Sequence, residues 1–369
     1  MSTLRVEVVE IKDIQKHPNA DRLELAQIFG WTCIVQKGEF KVSSKALYIP
    51  IDSLLPVEIE SKIFPIDSKI KLSKSRVKTI KIRGAISQGL VVSLNLLGLE
   101  NEELGTDVAE KLGITKFEPP EKPVHMRGNQ VPKKRLNPFF YKYTDIENFK
   151  NYPNVFQDGE EVFITEKVHG SNFRCGYVPT EANSLWRKLL RWLKILPKYE
   201  FVYGSRNVQL QYKWLWNGFY DQNIYLKIAK QYNLDKVLKP GEVLYGEIYG
   251  WGIQKGYTYG CKEGEHKLVV FDIMRINEHG FGNYLSWNEF DDWMDKHGEL
   301  NRVPLVYNGI FSKDIFIKCS KGGSCLYPEQ KIREGSVVKP LIESVCYMGR
   351  KVLKYVNDEY LLDEQTDFH

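Results

Sequence analysis

Paired cysteines are missing from this chain. Its six cysteines, Cys33, Cys175, Cys261, Cys319, Cys325 and Cys346, include no Cys-x-x-Cys pair, which argues against a zinc module and against a secreted disulfide scaffold. No apolar run approaches the ~20 residues of a membrane-spanning helix, and the opening Met1-Ser2-Thr3-Leu4-Arg5-Val6-Glu7 lacks the apolar core of a signal peptide. A strong excess of one charge is absent too. Lys plus Arg total 52 against 47 Asp plus Glu, a formal balance of +5, which permits a nucleic-acid partner without requiring one. These absences point to an intracellular, cytoplasmic, reduced and soluble protein with no membrane partner. At 369 residues the chain is long enough for two domains with their own cores.

What is present begins at Ile164-Thr165-Glu166-Lys167-Val168-His169-Gly170-Ser171-Asn172. The apolar run Val162, Phe163, Ile164 predicts a strand that delivers Lys167 into a turn made by Gly170 and Ser171, a placement suited to a side chain aimed into a cleft. A lone Lys-x-x-Gly is weak evidence. Further elements follow in order: Ser205-Arg206-Asn207, Tyr245-Gly246-Glu247-Ile248-Tyr249-Gly250, Val270-Phe271-Asp272-Ile273, Arg333-Glu334-Gly335-Ser336-Val337-Val338-Lys339-Pro340 and Lys351-Val352-Leu353-Lys354.

Chemistry supplies reasons for these residue types. A lysine amine is protonated at neutral pH and attacks phosphorus only once burial and cationic neighbours lower its pKa. Arg206, Lys339, Lys351 and Lys354 are the candidate neighbours, and they would also neutralise a triphosphate. Glu247 and Glu334 are candidates to hold Mg²⁺, a hard ion that favours oxygen ligands and retains water. A planar base needs a flat apolar face, and Phe271, within the apolar strand Leu268 to Ile273, is the best candidate.

Residues 1–116 read as a separate, mostly β unit, with apolar or alternating segments at Leu4 to Ile11, Leu23 to Val35, Ala46 to Ile51, Val77 to Ile82 and Leu90 to Leu94. Lys71, Lys74, Arg76, Lys78, Lys81 and Arg83 would furnish a charged surface for nucleic acid or an ordinary solvated face. Residues 117–136, rich in proline and closing on Lys133, Lys134 and Arg135, form the expected linker. Residues 137–369 make the second domain. Within it, residues 184–198 place Leu185, Leu189, Trp192 and Leu196 near one helical face with Arg187, Lys188, Arg191 and Lys194 elsewhere, a short basic amphipathic helix.

The ordered motifs from about residue 140 to 360 resemble those of the covalent nucleotidyltransferases, the polynucleotide ligases and messenger RNA capping enzymes. Glu166-Lys167-Val168-His169-Gly170 looks like the nucleophile motif in a histidine variant that RNA ligases also use. Tyr245 to Gly250, running on to Gln254, Lys255 and Tyr259, looks closer to RNA ligases than to DNA ligases. The stretch His17-Pro18-Asn19-Ala20-Asp21-Arg22-Leu23-Glu24, with Ser87-Gln88-Gly89-Leu90-Val91, resembles OB-fold modules of tRNA-binding proteins and of one RNA ligase class.

The resemblance implies an α+β protein: an amino-terminal OB-type β-barrel, then a nucleotidyltransferase (ATP-grasp-like ligase) domain of antiparallel sheets with flanking helices. It implies a phosphoramide bond from Lys167 to AMP. Arg206 would meet the ribose or phosphate, Glu247 the ribose or a metal-bound water, Phe271 the adenine face and Lys354 the α-phosphate. Glu166 and Lys339 join these nucleotide-binding residues, and Glu334 with Glu247 would serve the metal. Val356 stands where the RNA ligase pattern often has a second lysine. With the OB-like module in front and about fifteen residues after Lys354, the architecture looks like the RNA ligase 5 family. The implied activity is ATP-dependent joining of 3′-OH and 5′-phosphate RNA ends with Mg²⁺ or Mn²⁺, at nicks bridged by RNA or DNA, by a monomer. A capping guanylyltransferase-like enzyme and a non-catalytic RNA-binding protein are the competing readings.

Overall fold

The computed structural model describes residues 3–65, 67–68, 71–117, 137–181, 186, 189, 192–193, 196–211 and 224–363. The chain forms two compact units that interleave along the sequence: Met1–Pro120 with Asp145–Phe156 and Leu353–His369, and Glu121–Thr144 with Gln157–Val352. No helix among the described residues is long and apolar enough to cross a membrane. The linker residues 118–136, and Leu185, Arg187, Lys188, Arg191 and Lys194 of the basic helix, lie outside the described residues; Trp186 and Trp192 are exposed.

The first unit is built of short antiparallel strands. One sheet orders Glu7–Glu10, Lys45–Ile49 and Leu90–Val92, and another orders Asp13–Lys16, Leu23–Ile28 and Trp31–Gln36. Alternation decides which side chains turn inward: in Trp31–Gln36 the buried residues are Trp31, Cys33 and Val35. Trp31 and Cys33 meet Val9, Ile28 and Tyr48 in one cluster and Val35 meets Ile11, Ala26, Phe40 and Ala46 in another, so the two sheets share an interior. One expected strand proves to be broken, and one strand is additional. Leu23 to Val35 is a hairpin, because Phe29 takes a positive φ of 53° beside Gly30 and Ile28 pairs with Trp31. The segment beginning at Leu4 is followed by a further strand at Asp13–Lys16. The expected charged surface also loses a member: Arg76 is buried, paired with Asp52 at 2.6 Å and set over the Phe117 ring.

Segments distant in sequence are joined to this barrel by Lys150. Its ammonium, 6% exposed, donates to Gln88 Oε1 at 2.7 Å and Asp358 Oδ1 at 2.8 Å and lies over the rings of Trp31 and Tyr355. Next to it, Glu147–Asn148 pairs in parallel with Leu353 and Lys354, and Phe149 N donates to Lys354 O at 2.8 Å.

The second unit has a large antiparallel sheet in the order Gln209–Gln211, Tyr199–Gly204, Ser171–Pro179, Glu242–Gly250, His266–Ile276, Gly282–Tyr284. A second set of strands places Glu161–Lys167 between Leu305–Ile310 and Gly335–Pro340. Phe163, Phe173, Leu244, Leu268, Trp287, Phe290 and Trp293 fill the interior. The helix Trp287–Lys296 starts at a capping box of Ser286 and Glu289 and buries Trp287, Phe290, Trp293 and Met294, the spacing of one helical face.

A buried ammonium deprived of its carboxylate is costly. Asp358→Ala is therefore expected to destabilise the protein by about 3 kcal/mol, seen as a lower urea midpoint at unchanged slope. An unshifted midpoint would mean that Gln88 and the two rings satisfy Lys150 without Asp358.

Candidate active site

Lys167 is the last residue of the strand Glu161–Lys167 and pairs in register with Gly335. That register brings the residue before Gly335 alongside the lysine. Lys167 Nζ donates to Glu334 Oε1 at 2.6 Å. Glu334 is buried, and its second oxygen, Oε2, accepts no hydrogen bond from any described residue, with His169 Nδ1 at 3.8 Å. Burial by itself would lower the Lys167 pKa, but Glu334 and Glu247 outweigh it and hold the pKa above its ordinary value. The cationic surroundings expected around the nucleophile are thus corrected. Lys339 is engaged by Asp272 and Lys351 by Glu160, and the lysine faces carboxylates.

The turn after Lys167 is held from the opposite side. Tyr259 Oη accepts from His169 N at 2.8 Å, and Gln254 Nε2 donates to Gly170 O at 2.7 Å. These are two of the residues that follow the Tyr-Gly-Glu motif, so their work here is to fix the loop that carries the histidine and glycine. A side chain at Gly170 would not fit: a Cβ there would lie 2.3 Å from Ile248 O and 2.8 Å from Glu247 Cγ. The close approach lets Glu247 stand beside the loop, directly opposite Asn172 across the strand pair. Burial pushes the Glu247 carboxyl up to about 8, with Lys167 and Arg206 opposing the shift and Glu334 adding to it. Arg206 sits in the loop after Tyr199–Gly204, whose Ser205 carbonyl accepts from buried Arg174 Nε at 3.0 Å.

Phe271 is placed by an irregularity. Tyr245 pairs with Asp272 and Gly246 pairs with Val270, so Phe271 is the extra residue of a β-bulge. A bulge re-aims one side chain without ending the strand. Phe271 is half-buried in an otherwise buried stretch and meets the Tyr143 ring edge-on at 4.8 Å. Beneath it Asp272 Oδ2 accepts from Tyr143 Oη at 2.6 Å, Lys339 Nζ at 2.7 Å and Arg350 Nη1 at 2.7 Å. Burial would raise the Asp272 pKa, yet Arg350 and Lys339 hold it below its ordinary value. Lys339 also donates to Phe271 O at 3.1 Å and is 3% exposed. The structure thus places the Lys339 ammonium in a buried network behind Phe271, where it meets the Phe271 carbonyl and the Asp272 carboxylate.

Glu166 likewise differs from expectation. Its carboxylate is 1% exposed and accepts from Ser324 Oγ at 2.6 Å, Cys325 N at 2.6 Å and Leu326 N at 3.3 Å. Lys354 belongs to the first unit, on the strand Leu353–Val356. In the second unit the structure brings together Lys167, Glu334, Glu247 and Arg206. The sequence resemblance also marks Tyr143 to Asn148 as a wall of the nucleotide pocket; sequence reasoning missed Asn172 and Arg350, and gave Asp272 no role although it adjoins Phe271, and the groups that meet at Asp272 are 67 to 129 positions from it.

A divalent metal fits this donor set. Glu334 Oε2 and Asn172 Oδ1 are buried oxygens with no hydrogen-bond partner among the described residues, and hard Mg²⁺ or Mn²⁺ favours oxygen. No group of three or more His, Cys, Asp or Glu among the described residues could hold an ion unaided, so water or phosphate oxygens would complete the shell.

The raised Glu247 carboxyl links stability to pH. A folded value above the unfolded one favours the folded state fully below the ordinary 4.5 and loses that contribution as pH rises through about 8. Glu247→Gln is expected to flatten the decline in melting temperature between about pH 4.5 and about pH 8, and an unchanged decline would assign it to another group.

Residues 160–356 match the family model described as RNA ligase, and residues 5–94 match an OB-fold domain model. No curated protein matches the chain. Solved structures of Naegleria gruberi RNA ligase are similar over nearly the whole length. A variant with ATP and Mn shares 24% identity at a TM-score of 0.74, covering 96% of this chain and 97% of that one. A variant with AMP and Mn shares 23% at 0.75, over 98% and 99%. The protein with PPi shares 24% at 0.73, over 97% and 98%. At such identity the likeness is one of fold: an amino-terminal OB-fold domain followed by a ligase domain of antiparallel sheets with few helices. Because the matching model extends over more than half of the chain and takes in the strands that present Lys167, Glu247 and Glu334, this protein belongs to the RNA ligase family.

Proposed function

We propose that this protein is an ATP-dependent RNA ligase that works through lysyl-AMP and adenylylated RNA. The observation that carries the reading is the pairing of Lys167 Nζ with Glu334 Oε1 at 2.6 Å at the end of a strand, with Glu247 and Arg206 beside it. The Naegleria gruberi structures hold ATP, AMP and PPi; in this reading ATP and PPi are the substrate and leaving group of the first step, and AMP is the leaving group of the last.

Three in-line displacements at phosphorus follow. The Lys167 amine attacks the α-phosphorus of ATP, the bond to the bridging oxygen breaks, pyrophosphate leaves, and the amine's proton passes to water. The oxygen of a 5′-phosphate RNA end then takes AMP from the lysine, which recovers a proton. A 3′-hydroxyl finally attacks the activated 5′-phosphorus, AMP departs, and a phosphodiester remains. Positioning and charge neutralisation supply most of the rate in such transfers.

The chain's own groups account for the proton. While Glu334 and Glu247 face Lys167 they keep its amine protonated; once their oxygens turn to other partners, burial dominates and the pKa falls. Mg²⁺ or Mn²⁺, when bound at Glu334 and through water at Glu247, would neutralise phosphate oxygens. Phe271 would stack on adenine, and Arg206 would meet ribose or phosphate. The acceptor ends would be RNA at nicks bridged by RNA or DNA.

Incubation with α-labelled ATP or GTP and Mg²⁺ or Mn²⁺, followed by denaturing electrophoresis, tests the reading. Label from ATP is expected on the protein and absent from Lys167→Ala. Because the folded pKa of Lys167 lies above the ordinary value, the single-turnover labelling rate should rise with pH across the neutral range. Transfer from GTP would move the protein to capping chemistry, and no transfer from either nucleotide would leave an RNA-binding scaffold.

A further inference from the structure

Glu166 and Lys167 are neighbours on one strand, so their side chains leave it on opposite faces. On the Lys167 face stands Glu334. On the other face the Glu166 carboxylate, 1% exposed, grips the loop that leads to Glu334. Oε1 accepts from Ser324 Oγ at 2.6 Å, and Oε2 accepts from Cys325 N at 2.6 Å and Leu326 N at 3.3 Å. The serine oxygen in turn accepts from Leu326 N at 3.0 Å and Tyr327 N at 3.2 Å. The loop returns on itself where Ser324 N donates to Gln330 O at 2.8 Å. Arg333 then closes it by donating to Gly323 O at 2.8 Å and Cys319 O at 3.1 Å. One residue further lies Glu334, 2.6 Å from the nucleophile.

We propose that Glu166 is a positioning residue: with Ser324 it forms a latch that holds the loop Ser320–Arg333, so that the nucleophile strand itself sets where Glu334 stands relative to Lys167. The inference rests on the lysyl-AMP reading for its catalytic consequence, though not for the latch. Its logic is geometric. A buried carboxylate accepting three charge-assisted hydrogen bonds is a stiff connection. Here it ties the residue preceding the nucleophile to the segment preceding the nucleophile's partner, two points that are 158 to 160 positions apart in sequence. A carboxylate so engaged does not serve as a contact for the nucleotide base.

The experiment compares wild type, Glu166→Ala, Glu166→Gln, Ser324→Ala and the double alanine variant in single-turnover labelling by α-labelled ATP and Mg²⁺, with ATP varied. Misplacement by about an ångström at a reacting centre costs on the order of 100-fold in rate. Glu166→Ala should lose rate on that scale while its half-saturating ATP concentration moves by less than about twofold, the pattern of lost positioning as opposed to lost ground-state binding. Ser324→Ala should change rate in the same direction by a smaller factor. The double variant should fall no lower than Glu166→Ala, because both substitutions open one latch. Glu166→Gln, whose carbonyl oxygen still accepts from the loop amides, should recover part of the rate. A rise of about tenfold in half-saturating ATP for Glu166→Ala, with Ser324→Ala silent, would overturn the proposal in favour of direct nucleotide contact. Hydrogen exchange of residues 320–334 without nucleotide reads the latch separately: faster exchange in Glu166→Ala is expected, and unchanged exchange would sink it. A wild-type protein that takes no label would overturn the ligase reading, and the exchange result would still decide the latch.

Discussion

The ion pair between Lys167 and Glu334 sets the terms for the rest of the second unit. An ammonium and a carboxylate taken from water stabilise one another only if their geometry is held and their remaining donors and acceptors are met. The antiparallel register of Glu161–Lys167 with Gly335–Pro340 provides the first alignment, since it puts Gly335 opposite the lysine and Glu334 just beyond it. Tyr259 and Gln254 tie down the turn after the lysine, and the Glu166 contacts tie down the loop before the glutamate. Each of these restrains the same two atoms from a different side.

Electrostatics in this region are arranged in two separate balances. Around Lys167 the carboxylates outnumber the cations, which raises the lysine pKa, while burial carries Glu247 up to about 8. Around Asp272 the cations prevail, so its carboxylate is held ionised although it is buried. The second balance supports a surface more than a reaction: Lys339 and Arg350 converge on Asp272, and Lys339 also holds the carbonyl of Phe271. The bulge then presents the phenylalanine ring above a fully satisfied polar base. In the first unit Lys150 does comparable work, binding the barrel to two segments that arrive from far along the chain.

The local setting of the candidate residues was legible in short motifs that follow one another in order. Lys167, Arg206, Glu247, Phe271 and Glu334 each stand in a short motif whose strand or turn can be read from apolar runs and glycines. The roles of Glu166 and Lys339 were not legible. Both sit beside motif residues and carry charge, and only the partners distinguish a ligand-facing group from one spoken for by the loop at Ser324 or by Asp272. The hairpin break at Phe29 was hidden for a related reason, since a bulky residue with positive φ carries no local turn signature.

The sequence by itself determined that an apolar strand ends in Lys167, which acidic residues are available to a hard metal, the β-rich amino-terminal module and the order in which strands deliver these groups, because periodicity and residue chemistry are local properties. Tertiary structure alone decided which charges neutralise which, that Phe271 stands out on a bulge, and that the residues near Lys150 and Lys354 belong with the first unit. Those outcomes depend on strand register and on contacts between residues more than 60 positions apart, and a buried charge takes its pKa and its role from the partner that reaches it, which no local pattern encodes.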